Sequence, residues 1–173
     1  TFLTNLATTA RKLDDTRLIS AALEDHGKKE DKNIMIVEDE FAKVVDVLSF
    51  NQYYGWYGGK IDNIKNIRWD IDIDKPVIIS EFGAGALQGY HADKITRWSE
   101  EFQELLYEET LPTLAKIPGI SGITPWTLVD FRSPRRTLIP YQNGWNRKGL
   151  ISETGNKKKA FFTLQSFYKK INR

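Results

Sequence analysis

Hydrophobic and polar positions along the chain follow two different periods. Apolar residues three or four positions apart indicate amphipathic helices. This pattern predicts helices at 2–13, 38–44, 60–72, 95–114 and 157–171. Short apolar runs rich in β-branched residues indicate strands. They predict strands at 17–23, 46–51, 77–79 and 120–126, and the charged segment 24–33 between the first two reads as a loop.

The predicted helices and strands alternate along the chain. Such alternation is typical of a parallel α/β sheet with right-handed crossovers. A doubly wound dinucleotide-binding fold needs a glycine fingerprint after its first strand, and residues 20–24 contain no glycine. Four strands make half of a (β/α)8 barrel, and the three later strands all end in polar or aromatic residues. The sequence therefore predicts the α/β class and half of a TIM barrel.

The most informative strand is the third one, which ends in a carboxylate. Val77 to Ile79 is an apolar run that reads as buried on both faces, and Gly83 and Gly85 stop it. Glu81 would then lie at the carboxyl end of a barrel strand, where α/β barrels hold their catalytic groups. The alternative, that Glu81 caps a turn or pairs with an arginine, stays open at this point.

The second strand ends in an amide followed by several aromatic rings. Residues 51–57 read Asn-Gln-Tyr-Tyr-Gly-Trp-Tyr. Aromatic faces stack on the C–H surfaces of sugars, while amide and phenol groups bind sugar hydroxyls. We therefore predict that Asn51, Tyr53 and Tyr57 bind carbohydrate, although one or two of the rings could instead fill the core. The segment 130–149 is too long and irregular for a simple connection and is predicted to be functional.

Composition narrows the classes of partner. The chain has 25 basic and 23 acidic residues, which leaves a net charge of +2, so no strong field favours nucleic acid or a membrane. The absence of cysteine excludes disulfides and thiolate metal sites, and we predict no metal and no cofactor. No apolar run approaches the length of a membrane span. The chain lacks both a signal-peptide pattern and an initiating Met, so we expect it to be part of a larger protein.

These motifs together resemble the catalytic barrel of glycoside hydrolase family 2, the family of β-glucuronidases and β-galactosidases. The resemblance begins near residue 11 and extends into the last helix. It is carried by five segments in a fixed order: 51–57, 80–83, 89–91, 98–103 and 126–131. Each motif is weak to moderate alone, but their order and spacing make the likeness strong.

The resemblance implies that the four strands are strands five to eight of the barrel. It further implies a retaining β-glycosidase with Glu81 as nucleophile and with Trp126, at the end of the eighth strand, in the sugar site. The family's acid/base glutamate follows an asparagine at the end of the fourth strand, and no such pair occurs in the chain. We expect that upstream half, and the accessory β-domains, to lie outside residues 1–173, and we expect these residues to be inactive alone.

Substrate specificity is predicted from the loop after the eighth strand. Asn146 and Lys148 resemble the Asn-x-Lys element with which β-glucuronidases bind the uronate carboxylate, and a lysine with an amide suits a carboxylate chemically. Arg132, Arg135 and Arg136 would add positive potential. A similar element occurs in β-galactosidase-like relatives, so a β-galactosidase remains an alternative. Residues 157–159, three consecutive lysines, are interpreted as the solvated start of the last helix.

The predicted partners are a carbohydrate substrate, a β-glucuronide or a β-galactoside, and the remainder of the parent polypeptide. Self-association into a homo-oligomer stays open. A non-catalytic carbohydrate-binding module is a further alternative to the enzyme. Nucleic-acid binding through 132–148 is disfavoured because aromatic and basic residues do not interleave along one face. We expect a soluble protein, and the sequence leaves its compartment undefined between cytoplasm, periplasm and exterior.

Overall fold

A computed structural model describes residues 2–171 of the protein. The α-helices in this range are α1 (Phe2–Leu13), α2 (Glu100–Leu114) and α3 (Lys159–Ile171), and 3-10 helices occur at Glu40–Lys43 and Ile61–Asn66. The strands are β1 (Ser20–Leu23), β2 (His26–Gly27), β3 (Ile34–Ile36), β4 (Val47–Gln52), β5 (Arg68–Trp69), β6 (Val77–Phe82), β7 (Ile120–Ile123), β8 (Phe131–Arg132) and β9 (Trp145–Asn146).

The chain forms two compact units, each built from three separate segments. The first unit contains 2–52, Asn66–Glu81 and Leu114–Thr124. The second unit contains Tyr53–Lys65, Phe82–Thr113 and 125–171. None of the helices within residues 2–171 is long and apolar enough to cross a lipid bilayer.

The first unit is organised around a four-stranded sheet in the order β1-β4-β6-β7. β1 pairs in parallel with β4, from Ser20 opposite Val47 to Leu23 opposite Phe50, and β6 pairs in parallel with β7. The side chains that form the middle of the sheet have no solvent exposure: Leu48, Phe50, Val77 and Ile79. This burial explains why the strands read as continuous apolar runs, as parallel strands covered on both faces do.

The connections between strands of this sheet differ from the prediction. A small sheet in the order β2-β3-β5 takes β2 from the predicted loop at 24–33 and β5 from the predicted helix at 60–72, while β3 lies just after that loop. The isoleucines of that predicted helix were misleading because two of them, Ile61 and Ile64, lie three apart in a 3-10 turn and are buried there. Of the three connections between strands of the large sheet, only the one from β6 to β7 contains an α-helix within the described range.

The second unit contains the two later helices and the β8-β9 hairpin. α2 buries Phe102, Leu106 and Leu111. It begins at Glu100 and not at residue 95 as predicted, because Ser99 Oγ accepts a hydrogen bond of 3.0 Å from the Phe102 backbone N–H and so caps the helix. The predicted helix at 2–13 is confirmed, and α3 begins two residues later than predicted.

Candidate active site

Glu81 lies at the carboxyl end of β6, one residue before the strand ends. Val77 and Ile79 on the same strand are fully buried, whereas Glu81 is only partly buried. The strand therefore extends from the core of the first unit to a carboxylate that solvent can reach. This is the position at which α/β barrels hold groups that react with a substrate.

The neighbouring strands place polar groups at the same end of the sheet. Ser80 Oγ donates a hydrogen bond of 2.9 Å to Asn51 Oδ1 on β4, and Thr124 Oγ1 donates one of 2.6 Å to the Ser80 carbonyl. Because the Asn51 oxygen is engaged, its NH2 group is the donor that remains for a ligand hydroxyl. The first unit thus brings the predicted residues Asn51 and Glu81 onto adjacent strands.

A second carboxylate in this region was missed by the sequence analysis. Asp25 follows β1 by two residues, and its Oδ2 accepts a hydrogen bond of 2.8 Å from Gln52 Nε2 at the end of β4. Burial raises the pKa of the Asp25 carboxyl to about 6. The signal available in the sequence was an acid just beyond a strand end, but the charged surroundings of 24–33 concealed it.

Lys148 is a buried charged residue of the second unit. Its side chain is buried, with 5% exposure, and its ammonium donates a hydrogen bond of 2.7 Å to the Tyr57 hydroxyl. Lys148 Nζ lies 4.8 Å from the centre of the Tyr57 ring, 5.4 Å from that of Tyr53 and 5.8 Å from that of Trp56. Such distances allow cation–π attraction. Within residues 2–171 no carboxylate forms an ion pair with this ammonium.

The pKa of the Tyr57 phenol reflects the positive potential near Lys148. Burial raises its pKa, but the hydrogen bond and charge of Lys148, together with the charge of Arg136, outweigh burial and leave the pKa below its ordinary value. An electropositive environment of this kind stabilises an anion. The region around Lys148 is therefore suited to a negatively charged group on a ligand.

The rings of 53–57 divide between the interior and the surface. Trp56 is 5% exposed and packs edge-on against Trp98, with ring centres 5.0 Å apart, while Arg97 stacks over its face. Tyr57 is 62% exposed and lies edge-on to Tyr53 at 5.0 Å. The expectation that some of these rings fill the core is confirmed for Trp56, and Tyr57 is the most exposed of these rings.

The remaining predicted residues are Asn146 and Trp126. Asn146 is buried, and its Oδ1 accepts a hydrogen bond of 3.1 Å from the Lys148 backbone N–H. Trp126 lies beyond β7, and its ring packs edge-on against Phe131 at 6.0 Å. The second unit therefore brings Tyr53, Tyr57, Asn146 and Lys148 together, whereas the contacts described for the Trp126 ring are with Phe131.

The comparison with known protein families decides the assignment. The family profile for "Glycosyl hydrolases family 2, TIM barrel domain" matches residues 2–173. This chain belongs to glycosyl hydrolase family 2.

Curated relatives within family 2 agree with this assignment. The chain is 30% identical over 172 residues to a β-glucuronidase of Paenibacillus borealis, a match that covers 93% of the chain and 26% of the relative. It is 32% identical over 150 residues to a β-glucuronidase of Streptococcus agalactiae, covering 78% of the chain and 24% of the relative. The chain thus spans about a quarter of the length of these curated relatives.

Solved family 2 structures share the fold. The β-galacturonidase of Eisenbergiella tayi bound to galacturonate superimposes with a TM-score of 0.76 at 25% identity, covering 97% of this chain and 30% of that one. The β-D-glucuronidase of Dictyoglomus thermophilum gives a TM-score of 0.73 at 26% identity, covering 97% and 28%. The predicted fold class, the carboxyl-terminal half of an α/β TIM barrel, is confirmed.

One interpretation of the sequence is wrong for this family 2 chain. Lys158 belongs to the run of three lysines that we interpreted as solvated, but its side chain has no solvent exposure. Its ammonium lies 2.9 Å from both carboxylate oxygens of Asp130. A buried lysine needs such a partner because an isolated charge in the interior is costly. The partner lies 28 residues away in the sequence, so no local pattern could reveal it.

No group of three or more histidine, aspartate or glutamate side chains within residues 2–171 is arranged to hold a metal ion. The polar groups described above are hydrogen-bond donors and acceptors.

The raised pKa of Asp25 predicts a pH-dependent stability. Because the folded-state pKa of about 6 lies above the ordinary value of 3.8, the stability due to the neutral carboxyl is full below pH 4 and is lost as the pH rises through 6. Asp25→Asn should therefore become more stable relative to wild type between pH 4 and pH 8, by about 1–2 kcal/mol after allowance for partial exposure. Denaturant unfolding at several pH values measures this.

The exposed Asp72 provides the matched control, since Asp72→Asn should show a difference from wild type that does not change with pH in this way. A difference for Asp25→Asn that is constant between pH 4 and pH 8 would contradict the expected titration.

Proposed function

We propose that this family 2 chain carries the nucleophile and the uronate-binding lysine of a retaining β-glycosidase, and that the substrate is a β-D-glucuronide. The observation that carries the proposal is the environment of Lys148. Its buried ammonium has three aromatic rings around it, one of which is the phenol that accepts its hydrogen bond, and no ion-paired carboxylate among residues 2–171.

The chemistry of Lys148 favours an acidic sugar over a neutral one. An ammonium has three N–H donors, and one of them is used by Tyr57. A sugar carboxylate would accept charge-assisted hydrogen bonds from the others, and it would supply the negative charge that a buried cation needs. A neutral hydroxymethyl group would accept only weaker hydrogen bonds and would supply no negative charge. Lys148 therefore acts as the group that selects a uronide.

The names of the relatives support the same substrate class. The curated relatives are named β-glucuronidases, and the solved structure from Eisenbergiella tayi is named a β-galacturonidase. Both names refer to sugars with a carboxylate. Lys148 would not by itself distinguish glucuronide from galacturonide, which differ in a hydroxyl configuration, so the choice of glucuronide rests on the curated relatives.

Glu81 is proposed as the nucleophile of a double displacement. A Glu81 oxygen attacks the anomeric carbon and forms an ester with the sugar, while the bond to the aglycone oxygen breaks and that oxygen takes a proton from a general acid. Water then attacks the anomeric carbon and gives a proton back to the same group, and the bond between that carbon and the Glu81 oxygen breaks, which releases Glu81 as a carboxylate. We propose that the acid/base residue lies in a part of the polypeptide outside these 173 residues.

Loss of the nucleophile predicts loss of turnover without loss of fold. In the full-length polypeptide that contains this chain, Glu81→Gln should lower kcat on an aryl β-glucuronide by several orders of magnitude, because the first displacement is removed. Circular dichroism should be unchanged, and the matched variant Glu24→Gln should retain activity. A 2-deoxy-2-fluoroglucuronide that traps the intermediate should label Glu81, as peptide mass spectrometry would reveal. Covalent labelling of another residue would remove Glu81 from the role.

Truncation of Lys148 predicts a loss that depends on the substrate. A lysine–carboxylate hydrogen bond contributes about 1.5–3 kcal/mol, so Lys148→Ala should lower kcat/KM on the aryl β-glucuronide by about one to two orders of magnitude. The same variant should change kcat/KM on the aryl β-galactoside only slightly, because that sugar has no charge.

The exposed Lys157 provides the control for net charge, and Lys157→Ala should leave kcat/KM on both substrates unchanged. An equal loss on both substrates in Lys148→Ala would mean that Lys148 supports the loop and does not recognise the sugar. A wild-type preference for the galactoside would exclude the glucuronidase assignment.

A further inference from the structure

The loop that carries Lys148 is tied to a fully buried ion pair in the second unit. Lys158 Nζ lies 2.9 Å from both oxygens of Asp130, and it also donates to the carbonyls of Ala86 at 2.7 Å and Arg147 at 3.1 Å. Neither side chain of the pair is exposed to solvent. The ammonium of Lys158 is therefore fully saturated, and none of its hydrogen bonds is left for a ligand.

The same pair holds the backbone on both sides of Lys148. The residue before it, Arg147, accepts at its carbonyl a hydrogen bond from Lys158 Nζ. The residue after it, Gly149, donates its N–H to Asp130 Oδ1 at 2.8 Å. Lys148 itself donates its N–H to Asn146 and accepts at its carbonyl from Thr127 N–H at 3.1 Å. Three consecutive residues of the loop are thus fixed by hydrogen bonds.

Gly149 shows how closely the pair approaches this loop. A Cβ atom at position 149 would lie 2.3 Å from the Asp130 backbone nitrogen and 2.5 Å from Asp130 Oδ1. Only glycine permits that approach without a shift of the backbone. The loop is therefore built against Asp130, and displacement of Asp130 would displace the residue next to Lys148.

We propose that Lys158 and Asp130 are positioning residues that hold the Lys148 ammonium against Tyr57, and thereby set the preference for an acidic sugar. The last clause rests on the proposed function, whereas the placement of Lys148 does not. A buried ion pair contributes little net stability, because desolvation offsets much of the attraction. Three of its contacts here lie on one loop: the Arg147 carbonyl, the Arg147 guanidinium, which is 3.3 Å from Asp130 Oδ2, and the Gly149 N–H. That concentration favours a role in geometry.

The direct test of placement uses the Tyr57 phenol as a probe. 3-Fluorotyrosine is introduced at position 57 of the full-length polypeptide, and its pKa is measured by 19F NMR. Lys148→Met should raise this pKa, because the neighbouring ammonium holds it down. If the pair positions Lys148, Lys158→Met should raise the pKa in the same direction. Lys159→Met, which removes a partly exposed neighbouring lysine, should leave it unchanged.

A second variant keeps the test decisive if Lys158→Met does not fold. Asp130→Asn keeps the size of the side chain and an oxygen for Gly149 N–H but removes the charge that holds Lys158. It should raise the Tyr57 pKa while far-UV circular dichroism stays native. A folded variant of either residue with an unchanged Tyr57 pKa would overturn the proposal. Loss of the fold in both variants would make the pair a folding element and would also overturn it.

Kinetics then separate this proposal from the proposed function. Lys158→Met should lower the ratio of kcat/KM on aryl β-glucuronide to that on aryl β-galactoside at least tenfold, and addition of Lys148→Ala should lower it little further. A purely structural role would lower kcat/KM on both substrates by the same factor, and the effects of the two substitutions would be additive. If wild type shows no preference for the glucuronide, the proposed function fails. The Tyr57 titration would still decide whether the pair positions Lys148.

Discussion

The second unit depends on the groups that stabilise the charges of two buried lysines, Lys148 and Lys158. A cation in a protein interior requires a counter-charge and hydrogen bonds that replace its hydration. Lys158 obtains both from Asp130 and two backbone carbonyls. Lys148 donates a hydrogen bond to the Tyr57 phenol and lies near aromatic ring faces. No carboxylate pairs with it in residues 2–171. The same residue type thus has a structural role at one position and is available to an anionic ligand at the other.

The first unit holds the proposed nucleophile, Glu81, at the carboxyl end of one of its strands. Parallel strands end at one edge of a sheet, so polar residues that follow buried runs are brought together there. Asn51, Ser80 and Thr124 are linked by hydrogen bonds at this edge, and Glu81 follows Ser80. Rigid strands with fully buried side chains hold such groups more accurately than a loop would. The proposed nucleophile, Glu81, must reach one carbon atom and would benefit from that accuracy.

Features that depend on a few consecutive residues could be predicted from the sequence. The apolar run ending at Glu81 and the Asn-x-Lys spacing of the loop are visible in a few consecutive residues, and family 2 membership followed from their order. The pairing of Lys158 with Asp130 is long-range, so a run of three lysines gave a wrong impression of solvation. The raised pKa of Asp25 likewise depends on burial, which the surrounding charged residues do not indicate.

The central claim is that Lys148 binds the carboxylate of an acidic sugar. A crystal structure of the full-length polypeptide soaked with D-glucuronate tests it most directly. The account predicts a carboxylate oxygen within hydrogen-bond distance of Lys148 Nζ, on the side not used by the Tyr57 hydroxyl. A sugar whose carboxylate points into solvent, with a hydroxyl at Lys148 instead, would contradict the account.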